Sequence, residues 1–114
     1  MKQYTNSEQT AKLIELEFEK PKSIEKIIYT EQYGCGYKTA YSIGELIEML
    51  PQYLDYKGGV ANIDIDYYSL TIRKNVVMYC DPYMDWVEIQ CDEHTELIDN
   101  LYDMIAKLKE EGVI

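Results

Sequence analysis

Residues Leu70 to Cys91 read LTIRKNVVMYCDPYMDWVEIQC, and the way this stretch folds decides the architecture of the chain. It reads as a three-stranded antiparallel meander. A two-residue turn at Lys74-Asn75, where Asn tolerates the positive φ such turns demand, sets Ile72 opposite Val77 and Leu70 opposite Tyr79. With Asp81 to Asp85 as the second loop, Tyr79 falls opposite Val87 and Val77 opposite Ile89. Leu70, Ile72, Val77, Tyr79, Val87 and Ile89 then share one apolar face. Two independent turn assignments agree on that face, and a one-residue slip would turn it to water.

Working outward, the chain following the meander is a strong helix. TELIDNLYDMIAKLKEE places Leu97, Ile98, Leu101, Met104, Ile105 and Leu108 on one side, with Lys107 and Lys109 in the last turn and Gly112 beyond it. It is the natural cover for the apolar sheet face. Asp92 to Thr95 supply acids and a hydroxyl at its start, where the macrodipole favours negative charge.

Before the meander, Ala61 to Tyr67 alternate, with Ile63, Ile65 and Tyr67 on one face. Leu70 and Ile72 have the opposite parity, so a bulge or bend near Tyr68-Ser69 is expected. Tyr53 to Gly59 read as a loop. Ser42-Ile43-Gly44-Glu45 is a capping box that opens a short helix, and Pro51 closes it. Thr5-Asn6-Ser7-Glu8 is a second box, opening a helix to about Glu17 that Pro21 stops. Ile24 to Tyr29 suit a strand, and Gly34-Cys35-Gly36 a loop or hairpin tip. The resulting expectation is one α+β domain over residues 1–114: an antiparallel sheet of three or four strands, a long C-terminal helix packed on one face, and two short N-terminal helices.

Charge is unevenly spread. The formal net charge is -10; residues 1–59 hold nine acids against seven lysines, and residues 60–114 hold twelve acids against four bases. No Lys or Arg occurs from Asn75 to Ala106. Such a field repels nucleic acid and membrane surfaces and attracts basic proteins. The longest apolar run falls short of the roughly 20 residues that span a bilayer, and MKQYTNSEQ lacks the apolar core of a signal peptide. A cytoplasmic location is the expectation, and three cysteines, Cys35, Cys80 and Cys91, fit a reducing compartment better than a disulfide framework.

Chemistry-bearing patterns are sparse. His94 is the only histidine, and it stands at a helix start without a hydrolase or metalloenzyme motif. Cys35 between two glycines has no neighbouring base to activate it. Cys91 and His94 have a C-x-x-H spacing but no second doublet, so neither metal nor cofactor is expected. Asp64 and Asp66 read as a solvated strand face. The outer face of the meander is more suggestive, since Val76, Met78 and Trp86, rimmed by Asp81, Asp85 and Glu88, have the make-up of a protein-binding patch. The N-terminal helices could equally cover this face as a second core layer.

EQTAKLIELEFEKPKS (8–23), YSIGELIEMLP (41–51) and ELIDNLYDMIAKLKEEGVI (96–114) together resemble small uncharacterised proteins carried by phages, prophages and other mobile elements of gut-dwelling anaerobic bacteria. That resemblance implies a mobile-element setting and transfers no functional residue. At the end of the first helix this chain has Glu17-Phe18 where the resemblance leads one to expect Gly-Phe. The function expected is a non-enzymatic accessory protein that binds another, possibly basic, protein; an inhibitor of a host nucleic-acid-binding protein is the sharper form. The alternatives are a homodimer formed through the face around Trp86 and a small enzyme using Cys35 or His94.

Overall fold

The structure is a computed structural model that describes residues 2–30, 34–55, 67–73, 76–81, 87–90, 94 and 96–114. The elements run α1 (Ser7–Glu15), β1 (Ser23–Thr30), β2 (Gly34–Ala40), α2 (Ile43–Met49), β3 (Tyr53–Asp55), β4 (Tyr67–Arg73), β5 (Val76–Cys80), β6 (Val87–Gln90) and α3 (Leu97–Glu110). This is an α+β fold with two antiparallel sheets, one of order β3-β4-β5-β6 and a separate ribbon of β1 and β2.

The meander forms, with one correction. Leu70 pairs with Tyr79, Ile72 with Val77 and Arg73 with Val76, as a two-residue connection requires; Lys74 and Asn75 themselves lie outside the described residues. On the other side Tyr79 pairs with Ile89 rather than Val87, and Cys80 pairs with Val87 across a register shift. At Met78 and Tyr79 the pairing is thus displaced by two residues from the expected one, and at Cys80, past the register shift, by one. A two-residue displacement keeps parity, so Tyr79 and Ile89 still share the core face although their expected partners change.

α3 covers that face. Ile98, Leu101, Met104, Ile105 and Leu108 are fully buried at helical spacing and pack with Val77 and Tyr79 of β5. Leu13 of α1, Leu46 of α2, and Leu50 and Leu54 join the same cluster. Leu13 of α1 and Leu46 of α2 therefore join the core that α3 covers, and the second layer over the outer face, one of the two alternatives the sequence left open, is not built from those buried residues. The Tyr79 hydroxyl donates to the Pro51 carbonyl at 2.6 Å, tying β5 to the end of α2, and burial pushes this phenol up.

Local readings succeed and fail for identifiable reasons. Ser42 and Glu45 form the expected reciprocal capping box. The first box lies one residue later than expected, between Asn6 and Gln9. Thr5 is withdrawn from capping because it is fully buried: its hydroxyl accepts the Tyr41 N–H at 3.0 Å and donates to the Thr10 hydroxyl, which donates to the Asn6 carbonyl. Tyr53–Asp55 is a short edge strand on β4 rather than a loop. Residues 67–73 pair without interruption, so the bend expected near Tyr68-Ser69 is absent there; Ala61 to Asp66 lie outside the described residues. Gly34-Cys35-Gly36 belongs to β2 instead of forming a tip. Ile72, although paired with the fully buried Val77, is more exposed than a core position.

The β1–β2 ribbon has substantial packing only within itself. It accounts for an elongated molecule, 58 Å in its longest dimension, with a radius of gyration of 15.9 Å against the about 13 Å of a compact chain this size.

Candidate functional site

Of the patch expected on the outer sheet face, Met78 is 7% exposed and Asp81 4% exposed, so neither is presented to solvent. Cys80, a free thiol, is buried beside them with its sulfur 3.2 Å from the Thr71 hydroxyl. Val76 is half-buried and packs against the main core. Trp86 and Asp85 lie outside the described residues, and of Glu88 only the backbone in β6 is described. Of the described part of the patch, Met78 and Asp81 are interior and Val76 is half-buried, as the covered alternative requires at those positions.

Of the acids of residues 75–106, Glu96, Asp99 and Asp103 are bonded within the fold. Glu96 accepts the Lys2 backbone N–H at 2.9 Å. Asp99 accepts the Lys2 ammonium at 3.0 Å and the Gln9 amide at 2.7 Å. Burial raises the Asp99 carboxyl, but those two donors and the nearby charges of Lys2 and His94 outweigh it and hold it below the ordinary carboxylate value. Asp103 bonds the His94 ring, while the His94 backbone N–H donates to the Asn100 side chain at 2.9 Å. These acids clasp the N-terminal segment and the approach to α3 onto the helix.

Exposed, unpaired acid gathers elsewhere, at the C-terminal ends of α1 and α3. α1 ends in a Schellman motif: Glu17 N–H reaches the Ile14 carbonyl at 3.0 Å and Phe18 N–H the Leu13 carbonyl at 3.2 Å, with Glu17 in the left-handed region at φ 72. The motif turns Phe18 back against the core beside Leu13. α3 ends the same way, with Gly112 at φ 76 and Val113 N–H on the Leu108 carbonyl at 2.9 Å. The Lys109 ammonium lies 5.4 Å from the centre of the Phe18 ring, so the two helix ends meet at this aromatic side chain. Glu15, Glu17 and Glu19 flank Phe18 in sequence, Glu110 and Glu111 follow Lys109, and Glu48 projects from α2. All six are exposed, and none makes an ion pair among the described residues. Two helix C-termini add their partial negative charge. Tyr102, on α3, registers the field: its phenol is raised by burial and then by Asp103, Glu110 and Glu8.

A cavity of about 320 Å³ opens at this end, between the segment after α1 and the flank of α2. Phe18, Tyr41 and Met49 form its apolar walls, and Glu19, Glu45 and Glu48 supply carboxylates. Glu45 is built in. It accepts the Lys22 N–H at 2.9 Å, the Ser42 N–H at 3.2 Å and the Ser23 hydroxyl, and although burial raises its carboxyl these donors bring it below the ordinary value. The Tyr41 hydroxyl donates to the Glu19 carbonyl and closes the floor. Lys20 and Lys22 stand at the rim, on either side of the buried Pro21. The alternation ELEFEK, three glutamates in five residues around one phenylalanine, was the signal in the sequence for this surface.

The two residues named for an enzymatic alternative are held by different elements: Cys35 falls in β2 of the ribbon, whereas His94 is bonded to α3. Cys91, the other half of the C-x-x-H spacing, lies outside the described residues. Among the described residues no helix is long and apolar enough to cross a membrane. No protein-family model, curated protein or solved structure matches the chain.

Proposed function

We propose that this is a non-enzymatic module that binds a basic protein, and that it does so through the acidic end where α1, α2 and α3 converge. The observation that carries this reading is the division of its carboxylates. Those on the first two turns of α3 are consumed by internal partners, whereas Glu15, Glu17, Glu19, Glu48, Glu110 and Glu111 are exposed around Phe18 and make no ion pair among the described residues. Unpaired like charges gathered on a folded surface weaken the fold through mutual repulsion, and a basic partner relieves that repulsion. The setting implied by the resemblance to phage and mobile-element proteins would make the partner a host protein with a nucleic-acid-binding surface. The test is association of the purified protein with a panel of basic nucleic-acid-binding proteins at rising salt. Binding that weakens with salt and is lost in the double charge reversal Glu15→Lys, Glu48→Lys supports the proposal. Binding that is absent throughout, or indifferent to salt and to the reversal, refutes it.

A further inference from the structure

We propose that the cavity walled by Phe18, Tyr41 and Met49 receives a single arginine or lysine side chain of the basic partner, an inference that rests on the function proposed above. A long basic side chain has two parts, an apolar stem and a cationic head, and the cavity offers a complement to each. Its walls are aromatic and thioether surface, and its volume of about 320 Å³ exceeds what one such side chain occupies. The carboxylate of Glu48 lies at its edge without an ion-pair partner among the described residues, while the Glu45 carboxylate, saturated by donors from Lys22, Ser23 and Ser42, acts only as fixed negative charge. Phe18 already attracts one cation, because Lys109, which does not line the cavity, holds its ammonium 5.4 Å from the ring centre. A neutral or anionic occupant would fit the walls but would oppose three carboxylates and a chain of net charge -10.

Lys20 and Lys22 are the counter-observation, and they sharpen the test. Both stand at the rim, and neither is ion-paired among the described residues, so both repel a basic side chain. Removing them should tighten binding of a cation and weaken binding of an anion. The probe is the blocked tripeptide acetyl-Gly-Arg-Gly-amide, with acetyl-Gly-norleucine-Gly-amide as the uncharged stem, titrated into the full chain at low and high salt while methyl, aromatic and backbone-amide NMR resonances are followed. Expected are saturable shifts at Met49 and Phe18 with a dissociation constant on the order of millimolar, absent for norleucine. Glu48→Gln should weaken the arginine peptide about threefold, the size of one exposed ion pair, and Lys20→Ala should tighten it by a similar factor. Equal shifts for both peptides, or tighter binding in Glu48→Gln, would overturn the assignment. Arginine-specific shifts confined to Asp99 and Asp103 would reject the cavity and leave an acidic binding surface standing. No salt-sensitive shift at any carboxylate-bearing segment would reject the cavity and the basic-partner reading together.

Discussion

The most direct test of the physical reasoning is Glu17→Gly. Glu17 occupies the left-handed position that closes α1, at φ 72, a conformation in which the Cβ crowds the following carbonyl at a cost of about 1–2 kcal/mol. Glycine removes that cost. It also enlarges the unfolded ensemble, which takes back about 0.4–1 kcal/mol. The net gain is about 0.5–1 kcal/mol, or about 2–4 °C in Tm for a domain this size. Glu17 also puts a negative charge beside a helix C-terminus, so loss of charge alone should stabilise. Glu17→Gln isolates that part, and the difference between Gly and Gln measures the backbone. Gly112 provides the reverse experiment within the same molecule: it closes α3 at φ 76, and a Cβ there would meet nothing within 4 Å, so Gly112→Ala should cost about 1 kcal/mol from the backbone alone. Urea denaturation at constant m-value reads all three variants. If Glu17→Gly is no more stable than Glu17→Gln, the strain argument is wrong.

Other outcomes follow from buried partners. Thr5→Val orphans the buried Tyr41 N–H and removes the donor to the Thr10 hydroxyl, which keeps its own bond to the Asn6 carbonyl, and chemical denaturation should show a loss of about 1–3 kcal/mol. Leu101→Ala, at a fully buried position on α3, should cost about 2–5 kcal/mol, read as a lower urea midpoint or as loss of the native circular-dichroism signal. Glu45 and Asp99 both sit below their ordinary values in the fold, so each adds stability above about pH 4.5 that fades as pH falls through the depressed folded values. Glu45→Gln should therefore destabilise the protein at pH 7, with the gap to wild type closing toward pH 3; a gap independent of pH would refute the role assigned to this carboxylate.

The parts of the fold legible in the sequence are those that a local pattern determines. The 3.6-residue stripe of α3 and the pairing of Leu70 with Tyr79 across a two-residue turn need nothing beyond neighbouring residues. The β5–β6 register escaped because a longer loop leaves the start of the ladder open by two residues, and parity, all that hydrophobic alternation can report, is unchanged by such a slip. The local pattern named Thr5 as the cap, and the fold uses Asn6 instead. Tyr41, distant in sequence, settled the competition by engaging Thr5. β3 is three residues long, too short to carry a period. The exposed carboxylates around Phe18 were not singled out for a related reason: acidity can be counted along a sequence, but only folded partners distinguish a carboxylate that is used, such as Asp99, from one that is spare, such as Glu48.

The clasp between Lys2 and Asp99 joins residues 97 positions apart in the chain. A ribosome delivers these two ends at different times. Until α3 emerges, the Lys2 ammonium has no Asp99 to bond, and Val77 and Tyr79 have no helix over them. The order of synthesis therefore leaves the acidic end incomplete until late: Phe18 is made early, but Lys109 and the carboxylates of Glu110 and Glu111 reach it only when the last helix closes the core. A truncation that removes α3 would take with it both the lid of the sheet and a third of the exposed carboxylates around Phe18.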